Sequence, residues 1–420
     1  MKMMYVVSVL SCISLVISLP FLWNFLVTLI GTVKRLLLKK RERVKKENKL
    51  NKFAVITCAR NESAVIGKLI DSLKAQDYPE DNYDIYVIAD NCTDGETERA
   101  SKLHGAKVFN RYDNINVGKG FALKWGFDKI FFEEPDKYDA VCVFDADNLA
   151  DKNFLSAMND ALNSGADGAQ GYRRSSNPYD SVVSGCYEIY WMMINRFQNL
   201  ARYELGLSCL FSGTGFVIRS EYVKNGRWST DTITEDTEFS VENIMKGRRI
   251  DAAENAVFYD EQPTEWKVSM TQRFRWMFGA MQCALKIFNG DLRERLKGYP
   301  KFNVHKLDVY LWLLSVPSMA AMLFLKPVEI VLSLLSSDCV GMGIVSLIFS
   351  LISIPVISLF SCFLILCCKS NFKKMWKSAI VYPIFVLPMA FMALISLFKK
   401  KLEWKPIVHK STKGLSDIKS

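Results

Sequence analysis

Four long stretches of this 420-residue chain contain no Asp, Glu, Lys or Arg, and they dictate what it can fold into. Met3 to Val33 runs for 31 such residues, Val309 to Leu325 for 17, Cys339 to Cys368 for 30 and Ser378 to Phe398 for 21. A helix needs about 20 apolar residues to cross the hydrocarbon of a bilayer. The first, third and fourth runs meet that length, and Val309 to Leu325 sits at its lower limit. The first run is too long for a signal-peptide core. It ends in Lys34 and Arg35 rather than at a small-residue cleavage site.

The net charge of +10 gathers beside these runs. Residues 34–49 hold nine Lys or Arg against two Glu, residues 369–377 hold four Lys, and the tail holds Lys399, Lys400, Lys401, Lys405 and Lys410. Basic clusters at membrane edges follow the positive-inside rule and suit anionic headgroups. Charge placed this way argues against nucleic acid as the partner. Eleven cysteines without a CxxC pair read as free thiols; Cys58, Cys92 and Cys142 are expected to be buried in a reducing cytosol.

The expected order is therefore a transmembrane helix over 1–33, a basic juxtamembrane collar over 34–50, and a cytosolic domain over 51–265. Interfacial amphipathic helices over 266–305, transmembrane segments over 306–398 and a basic cytosolic tail over 399–420 follow. The topology carries a conflict. With Lys34 inside, residues 369–377 are inside too, and a fourth crossing puts the lysine-rich tail outside. Pro383 and Pro388 offer a re-entrant alternative.

Within 51–265, short apolar runs alternate with helical ones. FAVIT (53–57), DIYVIA (84–89), residues 106–109 and AVCVF (140–144) read as strands; helices are expected near 64–72, 96–104 and 118–132. Continuous apolar runs of this kind fit a mainly parallel sheet covered on both faces, hence a doubly wound α/β domain. Such sheets bind ligands beyond the carboxyl ends of their strands.

The polar residues at those ends are the candidates. Asp145-Ala146-Asp147 closes the AVCVF strand, and two carboxylates two apart can converge on one hard cation, Mg2+ or Mn2+. Asp90, in Asp90-Asn91-Cys92-Thr93-Asp94-Gly95, is either part of a solvated turn or a base and ribose contact. The TCARNE loop, Thr57 to Glu62, carries the same two readings. Asn116 to Gly120 opens a helix whose amides and Lys119 can face a phosphate, or simply begin it. In Thr234-Glu235-Asp236-Thr237 the acids are first-turn capping residues, or Asp236 is a general base. Gln272-Arg273-Phe274-Arg275-Trp276 is an interfacial helix with snorkelling arginines, or a diphosphate clamp with a stacking tryptophan.

In this order, over roughly residues 50–280, these pieces resemble the processive family-2 glycosyltransferases: cellulose, chitin, hyaluronan and poly-N-acetylglucosamine synthases. The resemblance implies a GT-A fold flanked by transmembrane and interfacial helices, and inverting transfer from a nucleotide diphosphate-sugar, by family default UDP-linked. It implies that Thr57, Ala59, Arg60, Asn61, Glu62 and Asp90 hold the nucleoside. Lys119, Asp145, Gln272, Arg273 and Arg275 then meet the diphosphate. Asp145 and Asp147 bind the metal, and Asp236 is the base. Gly213 and Thr214 of the FSGTG loop, with Glu235 and Trp276, meet the acceptor. Cys58 departs from a common Pro, and IADNCTD from DDGSTD. The expected protein sits in the plasma membrane with its catalytic domain cytoplasmic. It extends a polysaccharide or, since ceramide glucosyltransferases share the motif set, glycosylates a membrane lipid. The residues do not say whether an accessory subunit joins it.

Overall fold

The computed structural model describes residues 2–38, 41–290, 303–399, 402 and 414–419. Most of the basic tail, including Lys400, Lys401, Lys405 and Lys410, lies outside the described residues, as do residues 291–302 of the expected 266–305 segment. An eight-stranded sheet in the order β3-β2-β1-β4-β7-β6-β8-β5 forms the centre. Four strands run parallel on one side: β1 (Phe53–Ala59), β2 (Tyr83–Asp90), β3 (Lys107–Arg111) and β4 (Ala140–Asp145). β7 (Phe216–Arg219) pairs antiparallel with both β4 and β6 (Gly168–Ser175). β8 (Ile250–Asp260) runs parallel to β6, and the two-residue β5 (Leu149–Ala150) closes the edge against it. The sheet is thus mainly parallel, as expected, but its second half is a mixed extension.

Alternation along β1 explains the layers. Ala54 and Ile56 pack with Leu123, Phe127 and Ile130 of α4 (Lys119–Glu133). Phe53 and Val55 pack with Ile66, Leu69 and Leu73 of α2 (Ile66–Lys74), and with Phe154 and Met158 of α5 (Phe154–Asn163). Each fully buried Val, Leu, Ile, Phe or Met among them stabilises by about 1.5–3 kcal/mol, so both faces of β1 are committed to the core. α3 (Glu96–Leu103) lies between β2 and β3.

Among the described residues four helices are long and apolar enough to cross a membrane: Met3–Leu37, Val304–Leu335, Val340–Cys367 and Phe372–Phe398, the last made of two helical stretches that meet at Leu387, before Pro388. The second exceeds the charge-free run that marks it because its charges are paired. Asp308 accepts from Arg202 Nε (2.8 Å) and Trp23 Nε1 (2.8 Å), and Glu329 from Lys326 (2.9 Å), Ser11 (2.9 Å) and Ser14 (2.7 Å). Ion pairing and hydrogen bonding remove most of the cost of a carboxylate in an apolar setting.

The basic collar is largely docked on the domain. Arg35 pairs with Glu204 (2.7 Å) and Glu254 (2.5 Å), Lys45 with Asp160 (2.7 Å) and Lys49 with Asp139 (2.5 Å), while Arg41 and Arg43 both lie over the ring of Tyr203. All eleven cysteines are free. Cys142 is buried, whereas Cys58 and Cys92 are only partly so, because they stand at the strand ends where the sheet opens.

Candidate active site

The loops after β1, β2 and β4 open on one edge of the sheet. After β1, Asn61 takes φ 58° and its Oδ1 accepts from the backbone amides of Thr93 (2.8 Å) and Asp94 (3.2 Å), tying the TCARNE loop to the loop after β2. Thr57 is buried with its hydroxyl unpartnered, Ala59 is buried, and Arg60 and Glu62 line the same loop. Asp90 is held from below by Arg111, whose Nη1 lies 2.5 Å from Oδ1. Burial pushes its carboxyl up and Arg111 draws it back. Arg111, at the end of β3, is a site residue that the motif reading missed. Its signal is weak: one cation at a strand terminus.

Lys119 begins α4, behind Gly118, which takes φ 134° to turn the chain into the helix. Its ammonium donates to Asp145 Oδ1 and to the carbonyl of Gly213 (2.6 Å). Burial lowers its pKa and the charges of Asp145 and Glu235 raise it, with a net shift upward, so it stays charged. Gly213 takes φ 85°, and a Cβ there would stand 3.8 Å from Asp236 Oδ2. Lys119 therefore reaches between Asp145 and the acids that open α8 (Glu235–Met245). Thr214 Oγ1 accepts from the amide of Asp145 (2.8 Å), locking the FSGTG loop to β4.

Burial pushes Glu235 up to about 7 despite Lys119, and it also raises Asp236, against the pull of the Thr237 amide, Lys119 and Arg173. Two adjacent carboxyls in one buried pocket titrate as a pair.

The QRFRW segment lies on α9 (Trp266–Phe288), and its arginines part. Arg275 faces the site: burial lowers its pKa, and the charges of Glu235 and Asp145 raise it. Arg273, 1% exposed, turns the other way; its guanidinium donates to the Phe385 carbonyl and sits 3.8 Å from the centroid of the Phe385 ring. Gln272 has a buried, unpartnered Oε1. Trp276 stacks on Tyr190 (5.8 Å, 22°) and meets Trp191 (5.6 Å) and Tyr187 (5.9 Å) edge-on. Tyr190 and Trp191 belong to α6 (Val182–Met193), where no motif marks them.

Asp145 and Asp147 offer hard oxygen donors at a strand exit, the ligand type that Mg2+ and Mn2+ take. Among the described residues no group of three or more His, Cys, Asp or Glu surrounds a point. The two carboxylates would supply two oxygen ligands to such an ion.

Residues 51–279, more than half of the chain, match the model of "Glycosyltransferase like family 2". The chain belongs to glycosyltransferase family 2. A probable glycosyltransferase of Bacillus subtilis, YdaM, is 29% identical over 61% of this chain and 60% of its own length. The beta-monoglucosyldiacylglycerol synthase of Synechocystis sp. is 26% identical over 62% and 53%. The poly-beta-1,6-N-acetyl-D-glucosamine synthase of Staphylococcus aureus is 26% identical over 56% of each. This family-2 chain thus spans only half to three-fifths of the length of these curated relatives. Among solved structures, the mannosyltransferase PcManGT of Pyrobaculum calidifontis, in complex with GDP-Man and Mn2+, superposes with a TM-score of 0.56 at 16% identity. The match covers 93% of this chain and 100% of that one, and it agrees with a GT-A-like fold.

Proposed function

We propose that this family-2 glycosyltransferase moves a sugar, with inversion, from a nucleotide diphosphate-sugar to an acceptor hydroxyl presented at the inner face of a membrane, with a growing polysaccharide as acceptor. The observation that carries the reading is the convergence of Lys119, Asp145, the Glu235–Asp236 pair and Arg275 beyond the strand ends. The acceptor hydroxyl attacks the anomeric carbon as Asp236 takes its proton, and the nucleotide diphosphate departs toward Lys119 and Arg275. A divalent ion on Asp145 and Asp147 would neutralise diphosphate charge. Preorganised charge aimed at a leaving group is often the largest catalytic contribution. Asp90 and the TCARNE loop hold the nucleoside. Trp276 and Tyr190, backed by the buried Trp191, form an aromatic wall on which an acceptor sugar ring can rest.

A lipid acceptor is the second reading. It is favoured by Trp276 packing in one apolar cluster with Met389 and Met392, from the last apolar run, so that the wall adjoins the membrane side. Radiolabelled transfer by protein in lipid, with Mg2+ or Mn2+ and UDP- and GDP-sugars, tests both. A ladder of products supports the polymer, and one lipid-soluble product supports the second reading. No transfer from any donor overturns both.

For the membrane arrangement we propose three crossings and a re-entrant last run. Both ends of α9 are tied to the catalytic domain: it follows β8, and its Lys286 pairs with Glu238 (2.8 Å). The helix Pro388–Phe398 packs against α9, with Ala393 beside Ala280 and Met281, and Lys399 lies over Phe274 at 5.3 Å. A helix laid against α9 returns Lys399 to the catalytic side, in keeping with the charge rule.

A further inference from the structure

Asp260, the last residue of β8, joins the donor half of the site to the acceptor half. It is 9% exposed, and each carboxylate oxygen is committed. Oδ1 accepts from Asn148 Nδ2 at 2.8 Å, and Oδ2 from Gln262 Nε2 at 2.7 Å with Arg173 Nε 3.7 Å away.

Each partner leads to a different part of the site. Asn148 is fully buried directly after the DxD segment. Its Oδ1 accepts from Thr214 Oγ1 and lies 3.3 Å from the amide of Asp145, and its Nδ2 lies 3.3 Å from Asp147 Oδ1. Gln262 Oε1 accepts from Trp191 Nε1 at 3.3 Å. Arg173 sits 4.0 Å from the centroid of the Trp191 ring and donates from Nη2 to the Ser212 carbonyl of the FSGTG loop at 2.8 Å.

We infer that Asp260, acting through Asn148 on one side and through Arg173 and Gln262 on the other, is a positioning residue that sets the DxD loop and the Trp191–Trp276 wall in one register. The inference rests on the proposed reading of the site. A buried carboxylate is costly unless paired and hydrogen-bonded, and removing one partner of such a network leaves the others unsatisfied. Residues that orient ligating carboxylates typically matter 10- to 100-fold, on the order of the effect expected here. A network confined to the donor side would alter donor constants alone; this one ends on both.

The test uses the full chain in lipid nanodiscs, comparing wild type with Asn148→Ala, Asp260→Asn, Arg173→Lys and the Asn148→Ala/Asp260→Asn double variant. Three quantities are read per folded molecule: kcat and KM for donor and acceptor, and calorimetric affinity for Mg2+·UDP and Mg2+·GDP. Asn148→Ala and Asp260→Asn should each lower kcat/KM on both substrates by about 10- to 100-fold, and the double variant should be no worse than the weaker single one. Asn51→Ala, in the separate Asn51–Asn159–Asn163 network, should lower stability while leaving these constants unchanged. Lowered stability with unaltered constants in the Asp260 and Asn148 variants overturns the inference, as do strictly additive effects. Wild type that binds neither nucleotide overturns the reading of the site, and the inference with it.

Discussion

Arg273 and Arg275, two residues apart on α9, serve opposite faces of that helix: Arg275 feels the charges of Glu235 and Asp145, while Arg273 closes on Phe385 of the last apolar run. At 3.6 residues per turn, two positions differ by about 200°. Gln272, Arg275, Trp276 and Gly279 share a stripe at helical spacing, and Gly279 lies so close to Thr234 that a Cβ there would stand 2.5 Å away.

The two arginines should therefore fail differently. Arg275→Ala should raise the donor KM or lower kcat with the unfolding midpoint nearly unchanged. Arg273→Ala should lower stability by about 1–3 kcal/mol, since it strands a buried carbonyl, with donor KM little altered. Kinetics and thermal unfolding on both variants check this, and matching kinetic losses would contradict it.

Asp236→Asn should fold, bind Mg2+·UDP or Mg2+·GDP, and lose transfer by a factor on the order of 10² to 10⁴, the usual worth of a general base. Full activity in this variant would remove Asp236 from the proposed mechanism.

The Glu235–Asp236 pair makes stability and activity run in opposite directions with pH. Glu235 rises from 4.5 to about 7 on folding, so between those values the folded state holds a proton that the unfolded chain has released. That contribution to stability is complete below pH 4.5 and is lost as pH rises through about 7. Transfer needs an ionised base, so it should fall on the acid side of the pair's apparent pKa. Wild type should lose stability relative to Glu235→Gln across this window. A difference that stays flat in urea or thermal unfolding would count against the shift.

A reporter fused after Ser420 should be active on the same side as one inserted in the catalytic domain, as three crossings and a re-entrant run require. Opposite sides would restore a fourth crossing.

Breaking the buried Arg202–Asp308 pair by Asp308→Ala should destabilise by about 3–5 kcal/mol, because it leaves an uncompensated buried cation, whereas paired Arg202→Met and Asp308→Leu should cost far less. Unfolding midpoints in nanodiscs distinguish the two.

Much of this protein is written locally. Runs such as FAVI and AVCVF are continuously apolar and bounded by polar residues, which suits strands covered on both faces. The runs from Met3 and from Cys339 are long enough to span hydrocarbon, and the polar residues after the strands follow from where parallel sheets end. What tertiary structure decided is whatever depends on partners distant in the chain. Asp308 and Glu329 sit in a helix too apolar for lone charges because Arg202, Ser11 and Ser14 meet them from distant segments. Arg35, Lys45 and Lys49 found carboxylates of the domain. Arg111, Arg173, Asp260 and Trp191 carry no motif, because their placement follows from packing across β3, β6, β8 and α6 rather than from spacing along the chain. A local pattern can specify which groups stand at a strand end or on a helix face. Only the packed molecule brings buried charges from distant segments within hydrogen-bonding reach, where the low dielectric makes each pairing, or its absence, count.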